Sequence, residues 1–154
     1  MRLALDIVPV TAAIIFNAQG KVLLARRAHG DPQGSRWEFP GGKLHRGETP
    51  EECLRRELKE ELGIEAEVQG VFHAVNQDLG DRSILLLAYL CTWKPGPMEL
   101  REHSECRWIC PKDLMNMDLL EADRLVAMKL AEKLGNGEIG GVGDFHAQGT
   151  GNRP

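Results

Sequence analysis

Three glutamates, Glu57, Glu60 and Glu61, stand at i, i+3 and i+4 in a segment where Leu54, Leu58 and Leu62 recur every fourth residue. On a helix, that spacing puts the carboxylates on one face about a turn tall and the leucines on another. Like charges so close repel unless a cation lies among them. An all-oxygen ligand set suits a hard divalent ion, Mg²⁺ or Mn²⁺. Just upstream, Pro40-Gly41-Gly42 frees backbone groups to approach a ligand or an ion. The competing reading is a solvated helix laced with ion pairs, since Glu51–Arg55, Glu52–Arg56 and Arg56–Glu60 are each four residues apart.

The elements that must position these groups are legible from their punctuation. Thr49 is the expected N-cap of the acidic helix, Pro50 takes its first position, Glu52 closes a capping box and Gly63 ends it. Val8 to Phe16 and Lys21 to Arg27 read as a hairpin around a polar turn, and residues 28 to 36 as a loop. Trp37-Glu38-Phe39 is a short strand, stopped by Pro40. Ala66 to Asn76 and Ser83 to Trp93 form a second hairpin, Arg107 to Cys110 a last short strand, and Ala122 to Leu134 a helix. The fold class is α+β, with one helix on each face of a mixed sheet. Residues 1–134 form the domain. Residues 135–154, with seven glycines among twenty, are expected to be a disordered or loosely attached tail.

At 154 residues, 42% hydrophobic and 27% charged, the chain has the profile of one soluble domain. A net charge of -4 argues against a broad basic surface for duplex nucleic acid. The longest apolar run, Ile84 to Cys91, is too short to span a membrane, and residues 1–6 carry no secretory leader, so a cytoplasmic protein is expected. Cys106 and Cys110 with His103 raise a zinc question, but no second Cys/His pair has the spacing. Buried reduced thiols are expected at Cys53, Cys91, Cys106 and Cys110.

The segment Gly42 to Ile64 resembles the Nudix hydrolase box, G-x5-E-x7-R-E-U-x-E-E-x-G-U with U aliphatic, at all nine specified positions. The flank Trp37-Glu38-Phe39-Pro40-Gly41-Gly42-Lys43 is similar to the MutT-type subgroup, which hydrolyses nucleoside triphosphates. The resemblance implies a Nudix α/β/α sandwich and water attack on a phosphorus, yielding a nucleoside monophosphate and pyrophosphate. It implies a divalent ion, Mg²⁺ with Mn²⁺ as substitute, on Glu57, Glu60, Glu61 and the Gly41 carbonyl. Gly42, Glu48 and Arg56 would support the box. Glu57 is the first candidate to take the water's proton. Glu102, six residues before Trp108, is the second and a further metal ligand, or else a solvated loop charge.

Arg27, Glu38, Phe39, Arg82 and Asp123 resemble substrate-contacting positions of MutT-like enzymes. MutT proper carries Asn where this chain has Asp123. An ionised Asp only accepts hydrogen bonds and suits the amino group of cytosine, whereas a buried protonated one donates to a purine. Asp123 could instead cap the last helix. The expected substrate is 8-oxo-dGTP. The alternatives are CTP or a modified dCTP, RNA 5′ ends, and a non-catalytic binding module, which retention of every box acid disfavours.

Overall fold

Strand β1 (Asp6–Ile15) is apolar on both sides because both sides are covered. Ala12 and Ile14 enter one buried cluster while Ala13 and Ile15 enter another, the two-residue alternation of a strand. β2 (Val22–Arg27) splits likewise, with Val22 and Leu24 on one side and Leu23 on the other. The computed structural model describes residues 6–28, 30 and 34–139. Its remaining elements are β3 (Trp37–Glu38), α1 (Pro50–Leu62), β4 (Ala66–Asp78), β5 (Arg82–Trp93), β6 (His103–Ile109), a 3-10 segment at Pro111–Asn116 and α2 (Glu121–Gly135).

The two helices close the two sides. α1 brings Leu54, Leu58 and Leu62 against Ala13, Ile15 and Leu23. α2 brings Ala122, Val126, Ala127 and Leu130 against Ala12, Ile14 and Leu24. One helix on each face is therefore what the chain forms. The start and stop of α1 are those read from its sequence. Thr49 accepts from the backbone of Glu52, Glu52 reciprocates, and Gly63 adopts the left-handed conformation at φ 65.

The strands are arranged differently from the expected single mixed sheet. One sheet runs β1-β5-β4, with β1 parallel to β5 and β4 antiparallel to it. The other runs β3-β2-β6, all antiparallel. The hairpin expected of β1 and β2 stops at its turn. Phe16 pairs once with Val22, the backbone N–H of Asn17 donates to the Lys21 carbonyl, and the strands then part into different sheets. The local turn signal was sound, but β1 pairs along its whole length with β5 and not with its neighbour in sequence. The β4–β5 hairpin forms as expected, two residues longer at the turn end of β4.

Three boundaries move. β6 begins at His103, so half of the loop expected at Glu99–Glu105 is strand. Phe39 follows β3 rather than lying in it. Residues 135–139, expected in the loose tail, are held, because Lys133 pairs with Glu138 and Ile139 packs on the α2 side of the core. The rest of that tail, 140–154, lies outside the described residues.

Leu58 has no exposed surface and its neighbours come from a sheet and a helix that cannot collapse together. Leu58→Ala should cost about 2 to 5 kcal/mol, read as a lower urea midpoint at an unchanged slope.

Candidate active site

The acidic end of α1 is organised by one guanidinium. Arg56 donates from Nε to Glu48 at 2.6 Å and from Nη2 to the other Glu48 oxygen at 3.0 Å, a two-pronged contact. Its Nη1 reaches Glu57 at 2.9 Å and Glu60 at 3.1 Å, and its Nη2 also reaches the carbonyl of Lys43 at 3.2 Å. Glu48 additionally accepts from the backbone of His45 at 2.9 Å. With the Arg56 bond as the main cause, its carboxyl is held down at about 2. Of the three i,i+4 pairs offered by the solvated-helix reading, Arg56–Glu60 forms, while Glu52 is committed to the capping box.

The three box glutamates do not share one environment. The Glu60 side chain is 60% exposed, that of Glu57 13%, and Glu61 as a residue only 8%. Oε2 of Glu61 is buried with no partner among the described residues. Burial pushes the Glu61 carboxyl up to about 9, helped by the hydrogen bond and charge of Glu57 and then by the charges of Glu102 and Glu38. A cluster of carboxylates that cannot all ionise together, one with a bare buried oxygen, has the donor chemistry of a hard divalent cation site. Among the described residues the acids are not gathered into a finished ligand shell, and Arg56 holds two of them.

Glycine at 41 and 42 is required by close approach. The backbone of Thr11 donates to the Gly42 carbonyl at 2.8 Å and that of Ala13 to the Pro40 carbonyl at 2.7 Å, so this segment lies along β1. A Cβ on Gly41 would sit 2.0 Å from the Thr11 carbonyl oxygen, and one on Gly42 would sit 2.3 Å from the Glu57 carboxyl carbon. Gly42 is thereby set against the Glu57 carboxylate, and Gly41 against the backbone of β1.

Glu102 reaches the cluster through its neighbour. Arg101 docks on the C-terminal end of α1, its Nη1 donating to Glu60 and Lys59 carbonyls at 3.1 and 3.4 Å and its backbone to Glu61 at 3.2 Å. The backbone of Glu99 adds a bond to Leu62 at 2.9 Å. Glu102, the next residue, is exposed, and its charge acts on the Glu61 carboxyl. Nothing in the sequence singles out Arg101, since its partners are helix carbonyls about forty residues away.

A second constellation lies beyond Glu61. Arg27 Nη1 donates to one Glu38 oxygen and His103 Nε2 bonds the other, both at 2.9 Å. The backbone of Phe39 donates to Asp123 Oδ1 at 2.9 Å, and both residues are buried. Burial, with the charge of Glu38, pushes Asp123 up to about 8. The helix-cap alternative fails, because α2 begins after Leu120 with no side-chain cap and Asp123 bonds a different segment. Arg82 stands exposed at the β4–β5 turn, where β5 begins. His103, weighed in the sequence as a zinc ligand with Cys106 and Cys110, is instead the partner of Glu38. All four cysteines are free thiols, but only Cys53 and Cys91 are buried as expected; Cys106 and Cys110 are half-buried, and desolvation still pushes Cys106 up to about 11.

Two outcomes test this geometry. Gly42→Ala displaces a side-chain end and not the backbone, so it should leave the melting temperature within a few degrees while Glu57 is forced aside. Its rate should fall by about 100-fold or more. Glu61 takes up a proton on folding, so its contribution is intact below 4.5 and is lost as pH rises towards about 9. Glu61→Gln should flatten the decline of melting temperature with pH measured in chelator. It should also abolish the added stability from a divalent cation.

The NUDIX domain family model matches residues 7–130. The chain is 36% identical over 119 residues to the CTP pyrophosphohydrolase of Escherichia coli (strain K12), covering 77% of this chain and 87% of that protein. It is 42% identical over 86 residues to the 8-oxo-dGTP diphosphatase of Proteus vulgaris, covering 55% and 77%. The solution structure of the E. coli ORF135 protein superposes with a TM-score of 0.76 at 32% identity, covering 86% of this chain and 94% of that one. No described helix is long and apolar enough to cross a membrane. With its box, its two covering helices and a family match over most of its length, the chain belongs to the NUDIX domain family.

Proposed function

We propose that this protein is a Mg²⁺-dependent nucleoside triphosphate pyrophosphohydrolase acting first on 8-oxo-dGTP, with a nucleoside monophosphate and pyrophosphate as products. Hydrolases of this family generally work with a divalent metal. Glu57, Glu60, Glu61, Glu102 and the Gly41 carbonyl would hold the ion. When bound, it would neutralise a triphosphate that the acidic face alone repels, polarise the attacked phosphorus and acidify a water. Glu57, its orientation kept by Arg56 at 2.9 Å, would take the proton of the attacking water. Glu48 absorbs the other side of the Arg56 guanidinium, and Arg101 keeps Glu102 in reach.

The base reading is carried by Asp123. One of its oxygens is taken by the Phe39 backbone, and at neutral pH the carboxyl is protonated, having been pushed up to about 8. A neutral carboxyl donates as well as accepts, as the amide of Asn does, and so it can serve an oxidised guanine. Arg27, Glu38, Phe39 and Arg82 complete the proposed nucleotide contacts. CTP is the second reading. It is favoured by the 36% identity to a CTP pyrophosphohydrolase and by the accepting character Asp123 acquires when ionised.

The test is product analysis across oxidised and ordinary nucleotides and 5′-triphosphate RNA, with Mg²⁺ and with chelator. Release of pyrophosphate from 8-oxo-dGTP that stops on chelation supports the reading. Turnover in chelator, or RNA as the preferred substrate, sinks it. The donor form of Asp123 exists below about 8, so kcat/KM for 8-oxo-dGTP should fall by about tenfold per pH unit above that value. Asp123→Asn should keep the neutral-pH rate within about threefold and remove that alkaline limb. A limb that survives in the variant assigns the titration to another group.

A further inference from the structure

We propose that His103 is a positioning residue for nucleotide cleavage, holding the Glu38 carboxylate between the acidic face and Asp123 and so setting which base the site accepts. This role rests on the nucleotide-hydrolase reading above.

His103 opens β6 and pairs with Arg27 where the register of β2 shifts between Arg26 and Arg27. Ser104 pins the same place, its hydroxyl donating to the carbonyls of Arg26 and Arg27 at 3.5 and 3.3 Å. The imidazole is 5% exposed, and its Nδ1 is buried without a partner among the described residues. An apolar side chain would fill that space without the cost of about 1 to 3 kcal/mol that an unpaired buried polar atom carries. What the ring adds over such a filler is the bond at Nε2. A carboxylate only accepts, so Nε2 carries the hydrogen.

Glu38 is thus gripped from both sides, by His103 on Oε2 and Arg27 on Oε1, each at 2.9 Å. Its side chain is 15% exposed, and two donors in fixed directions leave it one orientation. Glu38 follows Trp37 in β3 and directly precedes Phe39, whose backbone holds Asp123. Its charge helps to raise the carboxyls of both Glu61 and Asp123. Turning Glu38 by one rotamer would move a negative charge relative to both groups. The amide nitrogen of Gln comes near the position of imidazole Nε2, whereas that of Asn comes near Nδ1. The two substitutions therefore separate the bond to Glu38 from simple occupancy of the space.

The experiment measures kcat and KM on 8-oxo-dGTP and on CTP, with melting temperatures. It uses the wild type, His103→Gln and His103→Asn, each also in a Glu38→Ala background. His103→Asn should lower kcat/KM by about 10- to 100-fold, chiefly through KM, and shift the ratio between the two nucleotides by about fivefold or more. His103→Gln should restore both to within about threefold. In the Glu38→Ala background the Asn substitution should add less than about twofold. Additive effects, an unmoved ratio, or Gln failing as badly as Asn at equal melting temperature would each overturn the positioning role while leaving the hydrolase reading intact. A wild-type protein that cleaves neither nucleotide overturns both.

Discussion

The guanidinium of Arg56 grips Glu48 through two nitrogens and extends the remaining donor to Glu57 and Glu60, so a single cation sets the geometry of the acidic face. Arg56 cannot lose its proton, and the Glu48 carboxyl is held down at about 2, so the arrangement does not dissolve near neutrality. The balance is local and incomplete. Glu61, one turn beyond Glu57, is not among the partners of Arg56; burial and the neighbouring carboxylates push its carboxyl up, and one of its oxygens bonds nothing among the described residues. The site therefore carries an unspent demand for positive charge, and the rest of the fold brings groups towards that point.

Those groups arrive by three routes with different physics. The Pro40–Gly42 segment is laid along β1 by backbone bonds, so close that a Cβ on either glycine would collide. Glu102 comes by way of Arg101, which satisfies carbonyls left open at the end of α1 and uses the negative end of that helix to anchor a loop. Glu38 comes on β3 and is fixed by Arg27 on β2 and His103 on β6 of the same sheet. Each route depends on β1 and β2 being covered on both sides. Otherwise α1 would have no rigid base from which to present Glu57 and Glu61.

The charge of Glu38 bears on both Glu61 and Asp123 and helps to raise each carboxyl, with burial as the larger cause at both.

The box from Gly42 to Ile64 was readable residue by residue because it is local. A capping box, a leucine every fourth position and carboxylates at i, i+3, i+4 are consequences of helix geometry, which needs no partner. The division of β1 into two buried faces was likewise present in its unbroken apolar run. Which strand β1 would pair with was not, because a turn at 17–20 suits a hairpin and a divergence equally well, and the partner strand begins only at Arg82. Asp123 could be named by position, yet its protonation belongs to the folded chain, since the desolvation and the Glu38 charge exist only after packing. His103 and Arg101 were invisible as site residues for the same reason. An isolated histidine or arginine acquires a role only from the carboxylate or carbonyl that tertiary structure places 2.9 to 3.4 Å away.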